Sequence, residues 1–411
     1  MYNPFKISDP RNLKISLAAP PNWTFAPGDN VIGTVVREAS LVSPDATIRV
    51  SLGGIAETRM VEQYGNQQID HSNRWDLLDP RDEDLFQGPL HLAEGSTECL
   101  TFPFEVNIPL RPSLTMIPRH NYETSFLPID HDSVAEQTLP GTFACSNGDG
   151  SIGMIGYKLE AELRYRRGGE IITHTESCRL VIRHSLVEPP LVHYEMIPHS
   201  QTARMQSHRL VTGVGHLSLK KKIQNFYGSS SVPGWAYRVD ISAPKAIQLD
   251  HSLPIPLTVN IVGVPDETSP ALRDTTVTVI VQSIRISVIS MTVTHVCGLG
   301  YSTGNLDFWR KTHSIVIPSR TFLTPIEFHV GQDSSPFDLG NVFQIYLDSD
   351  GLRKGTQRFD PSTPFSGSIY PDFVSYIIRH KHELRCELTL DISGESQTVA
   401  ISAPLNVLPS D

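Results

Sequence analysis

The sequence of 411 residues lacks the features of a membrane-spanning or a helical protein. No apolar run reaches the ~20 residues that a bilayer-spanning helix needs, and the first residues lack the apolar core of a signal peptide. No run of about twelve residues repeats apolar side chains at intervals of three and four, which is the pattern of an amphipathic helix. Membrane spans and long helices are therefore not expected.

Cysteine is also scarce. The five cysteines are far apart and none belongs to a Cys-x-x-Cys pair; they are Cys99, Cys145, Cys178, Cys297 and Cys386. An odd number at such spacing is unlike a disulfide framework and favours buried, unpaired thiols in a reducing compartment. We therefore expect a cytoplasmic protein.

Positive charge is in deficit. The chain has 34 Lys and Arg against 44 Asp and Glu, which gives a net charge of −10 at pH 7. Proteins that bind duplex nucleic acid usually present a basic face. Nucleic acid is therefore not expected among the partners.

Glycine and proline are present in quantity and are spread along the chain. There are 28 glycines and 31 prolines, and 39% of the residues are hydrophobic. This composition suits many short strands separated by turns, so the predicted class is all-β. The length exceeds that of one ordinary core, which favours two domains.

One pattern occurs twice. Residues 159–163, Gly169, and residues 178, 180 and 182 correspond at a constant offset to residues 384–388, Gly394, and residues 403, 405 and 407, with apolar side chains on alternate positions and a glycine turn between two runs. Alternation of period two buries one face of a strand, so each copy predicts a hairpin. Residues 17–20 are echoed more weakly in residues 241–244. The duplication predicts two related β domains in tandem.

The local pattern sets the boundaries between these domains. The first domain is predicted over residues 1–184, a linker over 185–207 and the second domain over 208–411. Two acidic stretches with few alternating apolar positions, residues 65–98 and 120–135, are predicted to be long surface loops. Pro103 interrupts an alternating run and predicts an edge strand or a bend.

Three segments within the predicted first domain resemble arrestin-like proteins, especially the ascomycete members of the α-arrestin group. Residues 25–35 are similar to the family's Pro-Gly-acidic signature on early strands. Residues 90–109 are similar to its Phe-Pro-Phe segment ending in proline, and residues 155–163 to its Tyr-x-Leu-x-Ala strand. The order and spacing of all three agree with the family, and the second half matches mainly in its closing hairpin.

This resemblance implies two tandem immunoglobulin-like β-sandwich domains joined by a short hinge. It also implies a non-enzymatic scaffold or adaptor in the cytoplasm, peripheral at plasma or endosomal membranes. The implied partners are membrane proteins or their cytosolic tails, trafficking factors and anionic lipid headgroups.

The sequence departs from the family in one motif. Fungal adaptors of this group usually recruit a ubiquitin ligase through Pro-Pro-x-Tyr. The nearest match here is Pro189-Pro190, and its tyrosine, Tyr194, comes two residues too late. A polyproline helix repeats every three residues, so this shift turns the ring away from the face that a WW domain binds. Direct ligase recruitment is therefore not expected.

Two basic clusters are the candidate contacts for partner proteins or headgroups. They are Arg164, Arg166 and Arg167 beside the first hairpin turn, and Lys220, Lys221 and Lys222 early in the second domain. Anionic headgroups attract such residues by roughly 1 kcal/mol each near a membrane surface. The alternative for both clusters is an ordinary solvated face.

Three further patterns fit a structural role better than a chemical one. Residues 300–304 satisfy Gly-x-Ser-x-Gly, but no α/β pattern surrounds them. His380 and His382 share one strand face and would need a third metal ligand such as His313 or His329. The acidic residues of 76–84 and 130–132 lack the spacing of a calcium loop. No catalytic residue, metal or cofactor is therefore predicted.

The alternative function is an arrestin-fold enzyme of the cyclase or isomerase type in a fungal natural-product pathway. It depends on the missing ligase motif and on acidic stretches long enough to line a pocket. A fold alone does not determine function.

Overall fold

The fold is taken from a computed structural model of the chain. It describes residues 13–95, 98–114, 125–146, 150–184, 191–212, 218–220, 223, 232–296, 305–318, 326–330, 336–355 and 369–410.

The chain forms two compact units, each made of more than one segment. Unit 1 contains Met1–Val187, Thr292–Trp309 and Phe373–Arg379, and unit 2 contains Glu188–Met291, Arg310–Asp372 and His380–Asp411.

Strands dominate the first half of the chain. They are β1 (Lys14–Leu17), β2 (Thr24–Phe25), β3 (Asn30–Arg37), β4 (Leu41–Tyr64), β5 (Gln67–Leu92), β6 (Leu100–Asn107), β7 (Phe143–Ser146), β8 (Ile152–Arg167) and β9 (Glu170–Ile182). The short helix α1 (His131–Glu136) lies between β6 and β7, and the carboxylate of Asp130 caps it by accepting from the Ser133 amide.

Unit 1 contains two sheets. One has the strand order β1-β3-β6, and the other has the order β2-β9-β8-β4-β5 with β7 paired to β8. Phe86 of β5 and Phe102 of β6 join the two sheets through ring centroids 5.5 Å apart. Trp75 is 1% exposed and stacks on Tyr376 at 4.9 Å.

The second half is also built from strands. They are β10 (Met196–Gln206), β11 (Gly234–Pro244), β12 (Ala246–Gln248), β13 (Thr258–Gly263), β14 (Val277–Val296), β15 (Asn305–Pro318), β16 (Glu327–Val330), β17 (Phe337–Asp338), β18 (Ile345–Asp348), β19 (Gly351–Lys354), β20 (Phe373–Val374), β21 (Ile378–Ile392) and β22 (Glu395–Leu408). Short helices accompany them, including α2 (Arg209–Thr212), α3 (Leu339–Phe343) and the 3-10 helices Pro265–Glu267 and Pro270–Leu272.

Unit 2 also packs one sheet on another. The sheet β10-β11-β13-β17 and the sheet β12-β22-β21-β14-β15 supply the buried side chains of a single apolar cluster. Tyr237, Val279 and Leu390 are among its fully buried members. The all-β prediction with two β-sandwich units is therefore confirmed.

The duplicated hairpins have the same register. In β8 and β9, Leu159 lies opposite Cys178; in β21 and β22, Leu384 lies opposite Ala403, and these are the matching positions of the sequence repeat. In each unit a short strand pairs in parallel with the end of the hairpin: β2 with β9, and β12 with β22. The two units therefore share an arrangement of strands as well as a sequence pattern.

Both hairpins turn through two residues. Gly168 and Gly169 have φ of 60° and 89°, and Ser393 and Gly394 have φ of 53° and 77°. Positive φ at both positions is typical of the type I′ turn, whose twist matches that of the strands, and glycine adopts it without strain. The turn therefore fixes the register of each hairpin.

The prediction of a surface loop over residues 65–98 is wrong. Most of it is β5, which pairs with β4. The pairing runs from Leu41 opposite Leu92 to Tyr64 opposite Gln67. Four register shifts interrupt this ladder, so buried side chains do not keep a strict period of two. The stretch 120–135 is described from residue 125 and contains most of α1.

Two other expectations concern local structure. Pro103 lies on β6, an edge strand, as predicted. Residues 196–206 of the predicted linker form β10, which pairs along its whole length with β11. Residues 185–190 lie outside the described residues. None of the described helices has the length and apolarity needed to cross a bilayer.

The shared register predicts matched responses in the two units. Leu163 and Leu388 occupy equivalent positions and are 0% and 1% exposed. Leu163→Ala and Leu388→Ala should each lower the free energy of unfolding by about 2–5 kcal/mol, because each leaves a cavity. Urea denaturation measures the loss. The controls are Arg164→Ala and Thr389→Ala on the outward faces, and an unchanged midpoint in either leucine variant would contradict the shared packing.

Candidate functional site

The outer edge of β9 is the candidate site. Its residues are Ile171, Thr173, Thr175 and Ser177, and we call this set the β9 edge. Their side chains are at least partly exposed, with Ile171 at 50%. β9 pairs with β8 on one side from Glu170 to Leu180, whereas β2 covers only Val181 and Ile182 on the other.

The turn determines which backbone groups point outward. Arg167 and Glu170 close the two-residue turn, so the even-numbered residues of β9 direct their N–H and C=O groups to β8. The odd-numbered residues direct theirs away from it. The amide of Arg183 follows this alternation, since it donates to the Phe25 carbonyl on the outer side at 2.8 Å.

The backbone groups of the β9 edge have no hydrogen-bond partner within the described part of the chain. Strand β1 approaches β9 but pairs with β3 in the other sheet. Each of the four residues therefore offers one donor and one acceptor to an incoming strand.

The other long edge strands are protected in ways that the β9 edge is not. Proline interrupts β5 at Pro80, β6 at Pro103 and β10 at Pro198, and β15 carries Lys311. Proline and lysine are common means of preventing strand addition. The β9 edge contains neither residue.

The equivalent edge in unit 2 is flanked. Strand β10 runs beside β22, and the Gln397 side chain donates to the Arg204 carbonyl at 3.3 Å. At the turn, Arg209 donates to the Gly394 carbonyl at 2.8 Å and lies 3.5 Å from the Glu395 carboxylate. In unit 1, β1 approaches β9 but pairs with β3, and no described side chain of β1 hydrogen-bonds to the β9 edge.

The first basic cluster lies next to the β9 edge. Arg164 and Arg166 stand opposite Thr173 and Ile171 and face outward, and Arg167 is the exposed residue before the turn. The guanidinium of Arg166 is 3.9 Å from the Asp45 carboxylate, with both side chains more than half exposed. The cluster therefore gives the turn end of the edge a positive charge.

A polar layer supports β9 from its inner face. The hydroxyl of Tyr165 lies 3.3 Å from Nε2 of His174, and the guanidinium of Arg37 lies 5.9 Å from the Tyr165 ring centre. Arg37 is only 2% exposed and donates to the Ser40 carbonyl at 3.4 Å. Burial lowers the pKa of His174, and the charge of Arg37 lowers it further.

The second basic cluster does not join the first in one unit. Lys220 is exposed and belongs to unit 2, and Lys221 and Lys222 lie outside the described residues. The Gly-x-Ser-x-Gly segment at 300–304, Pro189-Pro190 and Cys297 lie outside them as well. Tyr194 is described, and its hydroxyl lies 3.3 Å from Nδ1 of His251.

The two strand histidines face the interior of unit 2. His382 hydrogen-bonds through Nδ1 to the Asp372 carboxylate at 2.5 Å, and its ring lies 4.8 Å from that of His380. The charge of His382 also acts on His313. Within the described ranges, however, no three His, Cys, Asp or Glu side chains are arranged to hold a metal ion.

Part of the acidic stretch 65–98 lines an open recess in unit 1. The residues around this recess include Asp79, Asp82, Glu83 and Glu105. Ser113 donates to Asp79 at 2.5 Å and Asn30 donates to Glu105 at 2.6 Å, so two of these carboxylates already accept hydrogen bonds.

The four described cysteines form no disulfide, and they are not uniformly buried. Cys99 is exposed, Cys145 and Cys178 are half-buried, and only Cys386 is buried. Burial and the neighbouring Glu387 raise the pKa of Cys386 to about 12. The expectation of buried thiols therefore holds for Cys386 alone.

No protein-family model matches the chain, and no curated protein matches it. Two features were not anticipated from the sequence. The first is the unpartnered β9 edge, because it depends on which strands pair with β9 in the fold. The second is the hydrogen bond from His382 to Asp372, because Asp372 reaches His382 only through its backbone pairing with Val407 at the end of β22.

The layer under β9 gives a test of the electrostatics. The pKa of His174 should lie below its ordinary value, and Arg37→Met should raise it because a nearby positive charge is removed. The pKa of His174 is lower in the folded protein than in the unfolded chain. Its contribution to the free energy of unfolding is therefore complete above about pH 6.5 and declines as the pH falls. A pH titration of the imidazole NMR signal measures both. An unchanged pKa in the variant would contradict this arrangement.

Proposed function

We propose that the protein is a non-enzymatic scaffold that binds extended segments of membrane proteins or trafficking factors at the β9 edge. The observation that carries the proposal is an unpartnered, proline-free strand edge in unit 1 whose twin in unit 2 is flanked by β10. An exposed edge of this kind adds a strand readily. The resemblance of segments within residues 25–163 to arrestin-like adaptors supports the same class of function.

Binding would occur by strand addition. The incoming segment would hydrogen-bond to alternate residues, beginning near Ile171 and continuing towards Ser177. Each such bond contributes a net ~0.5–1.5 kcal/mol, and ordering the segment opposes binding. The backbone contacts alone therefore predict an affinity in the micromolar range or weaker.

Side chains would supply selectivity. Outward-facing residues of the incoming strand would lie directly beside Ile171, Thr173 and Thr175 of β9. Arg164 and Arg166 belong to β8, on the far side of β9, and stand opposite Thr173 and Ile171. Their charge acts on the incoming strand across β9, within the distance over which charges are not fully screened, and favours an acidic residue close to the turn.

Site-specific crosslinking tests the location. A photoreactive phenylalanine derivative at Ile171 should crosslink to tails of membrane proteins or to trafficking factors in living cells. The same group at Ser396, the twin position on β22, should not, because β10 flanks that strand. Peptides identified by mass spectrometry report the partners. Equal crosslinking at both positions, or none at Ile171, would refute the proposal.

A backbone substitution tests the mechanism. Thr173→Pro removes an outward amide and should lower partner capture at least tenfold, while β8 keeps its hydrogen bonds. Thr398→Pro is the matched control at the twin position and should leave capture unchanged. Thermal unfolding of both variants checks that each remains folded. Full capture by a folded Thr173→Pro protein would count against strand addition.

A further inference from the structure

A group of ionisable side chains interrupts the apolar interior of unit 2. His380 and His382 are 4% and 3% exposed and stand on the inward face of β21, in line with Leu384 and Leu388. His313 on β15 is 7% exposed. Burial of polar side chains costs free energy that leucine at the same positions would not. Three buried histidines therefore suggest a role other than packing.

Asp372 ties a separate segment to these histidines. Its carboxylate accepts from His382 at 2.5 Å and from the Val407 amide at 3.2 Å, and its own amide donates to the Val407 carbonyl at 2.7 Å. Two residues earlier, Tyr370 packs edge-on against His380, with ring centres 6.3 Å apart. Residues 370–372 are therefore anchored on the histidine pair and on the end of β22. We call His313, His380, His382, Lys311, Tyr370 and Asp372 the histidine cluster.

The histidine cluster contains more potential positive than negative charge. His313 faces the ammonium of Lys311 on its own strand, the imidazole of His382 on β21 and the backbone of Gly351 on β19. Asp372 is the one carboxylate of the cluster. Burial, together with the charges of Lys311 and His382, lowers the pKa of His313 to about 4.

Protonation of His313 would also leave a hydrogen-bond donor unsatisfied. Nε2 of His313 is buried and has no hydrogen-bond partner in the part of the chain that the structure describes. An added proton there would create a buried N–H without an acceptor, which costs free energy beyond charge repulsion.

The cluster lies at points where the chain passes between the units. The chain leaves unit 2 after Asp372 and returns at His380, and it returns from another excursion at Arg310. All six members of the cluster are close in sequence to one of these crossings. We call residues 292–309 and 373–379, which belong to unit 1 and interrupt unit 2, the crossing segments. The cluster anchors the residues of unit 2 that adjoin their ends.

We propose that the histidine cluster is a pH-dependent switch. At neutral pH it holds the ends of the crossing segments to unit 2, and on acidification it frees them. The proposal is independent of partner binding at the β9 edge. Its sign follows from linkage: a histidine whose folded pKa is below its unfolded value stabilises above about pH 6.5, and this stabilisation is lost towards pH 4. For His313 alone, local opening should increase on the order of 50-fold between pH 7.4 and pH 4.5.

Hydrogen–deuterium exchange of the full chain at pH 7.4, 5.5 and 4.5 tests this. After correction for the pH dependence of chemical exchange, residues 310–316, 369–372 and 380–383 should lose protection as the pH falls. The hairpin of β8 and β9 is the internal reference and should change much less. Protection of the cluster segments that persists at pH 4.5, or falls only in step with the reference, would overturn the proposal.

Two variants separate proton uptake from packing. His313→Leu removes the titrating group and should abolish most of the acid response, whereas His131→Ala, at an exposed position on α1, should retain it in full. If His313→Leu does not fold, NMR titration of the wild-type imidazole replaces it. Loss of protection must then follow protonation of His313. An acid-induced loss of protection in the His313→Leu variant would also overturn the proposal. So would a loss of protection in the wild-type protein at a pH where His313 is still neutral.

Discussion

The two-residue turns at Gly168-Gly169 and Ser393-Gly394 constrain the rest of the structure. Positive φ at both positions of each turn allows only one register of the flanking strands. That register places Leu163 and Leu388 inside, their neighbours outside, and the amides of alternate residues on the outer side of each hairpin. A slip by one residue would bring the polar face into the core. Core, edge and candidate site therefore depend on the same four turn residues.

The equivalent outer edges of β9 in unit 1 and β22 in unit 2 have different neighbours. In unit 2, β10 accompanies β22, and Arg209 fixes the turn through the Gly394 carbonyl. In unit 1 the corresponding edge is unpartnered within the described chain, and arginines stand where unit 2 has Thr389 and Asp391. The duplicated hairpins therefore have the same register but different neighbours. The histidine cluster occurs in unit 2, the unit in which β10 lies beside the hairpin.

The sequence predicted what depends on local alternation. The hairpins of β8–β9 and β21–β22 follow from apolar side chains at every second position, and the edge location of β6 follows from Pro103. Strand β5 was missed because register shifts opposite Ser43, Ile48 and Leu52 break the period of two, and because Asp82 and Asp84 face solvent. The partner of His382 could not be predicted, since Asp372 reaches it only through its pairing with Val407. The unpartnered β9 edge could not be predicted either, because local alternation does not show which strands pair with β9.

Residue-resolved hydrogen exchange by NMR tests most directly whether the outward amides of β9 are free. At neutral pH the amides of Ile171, Thr173, Thr175 and Ser177 should exchange close to the rate of an unstructured peptide. The amides of Ile172, His174 and Glu176, which point to β8, should be protected on the order of a thousandfold or more. This alternation of fast and slow amides is the predicted result. Uniform protection along β9 would show that another strand already covers the edge, and the account would then be wrong.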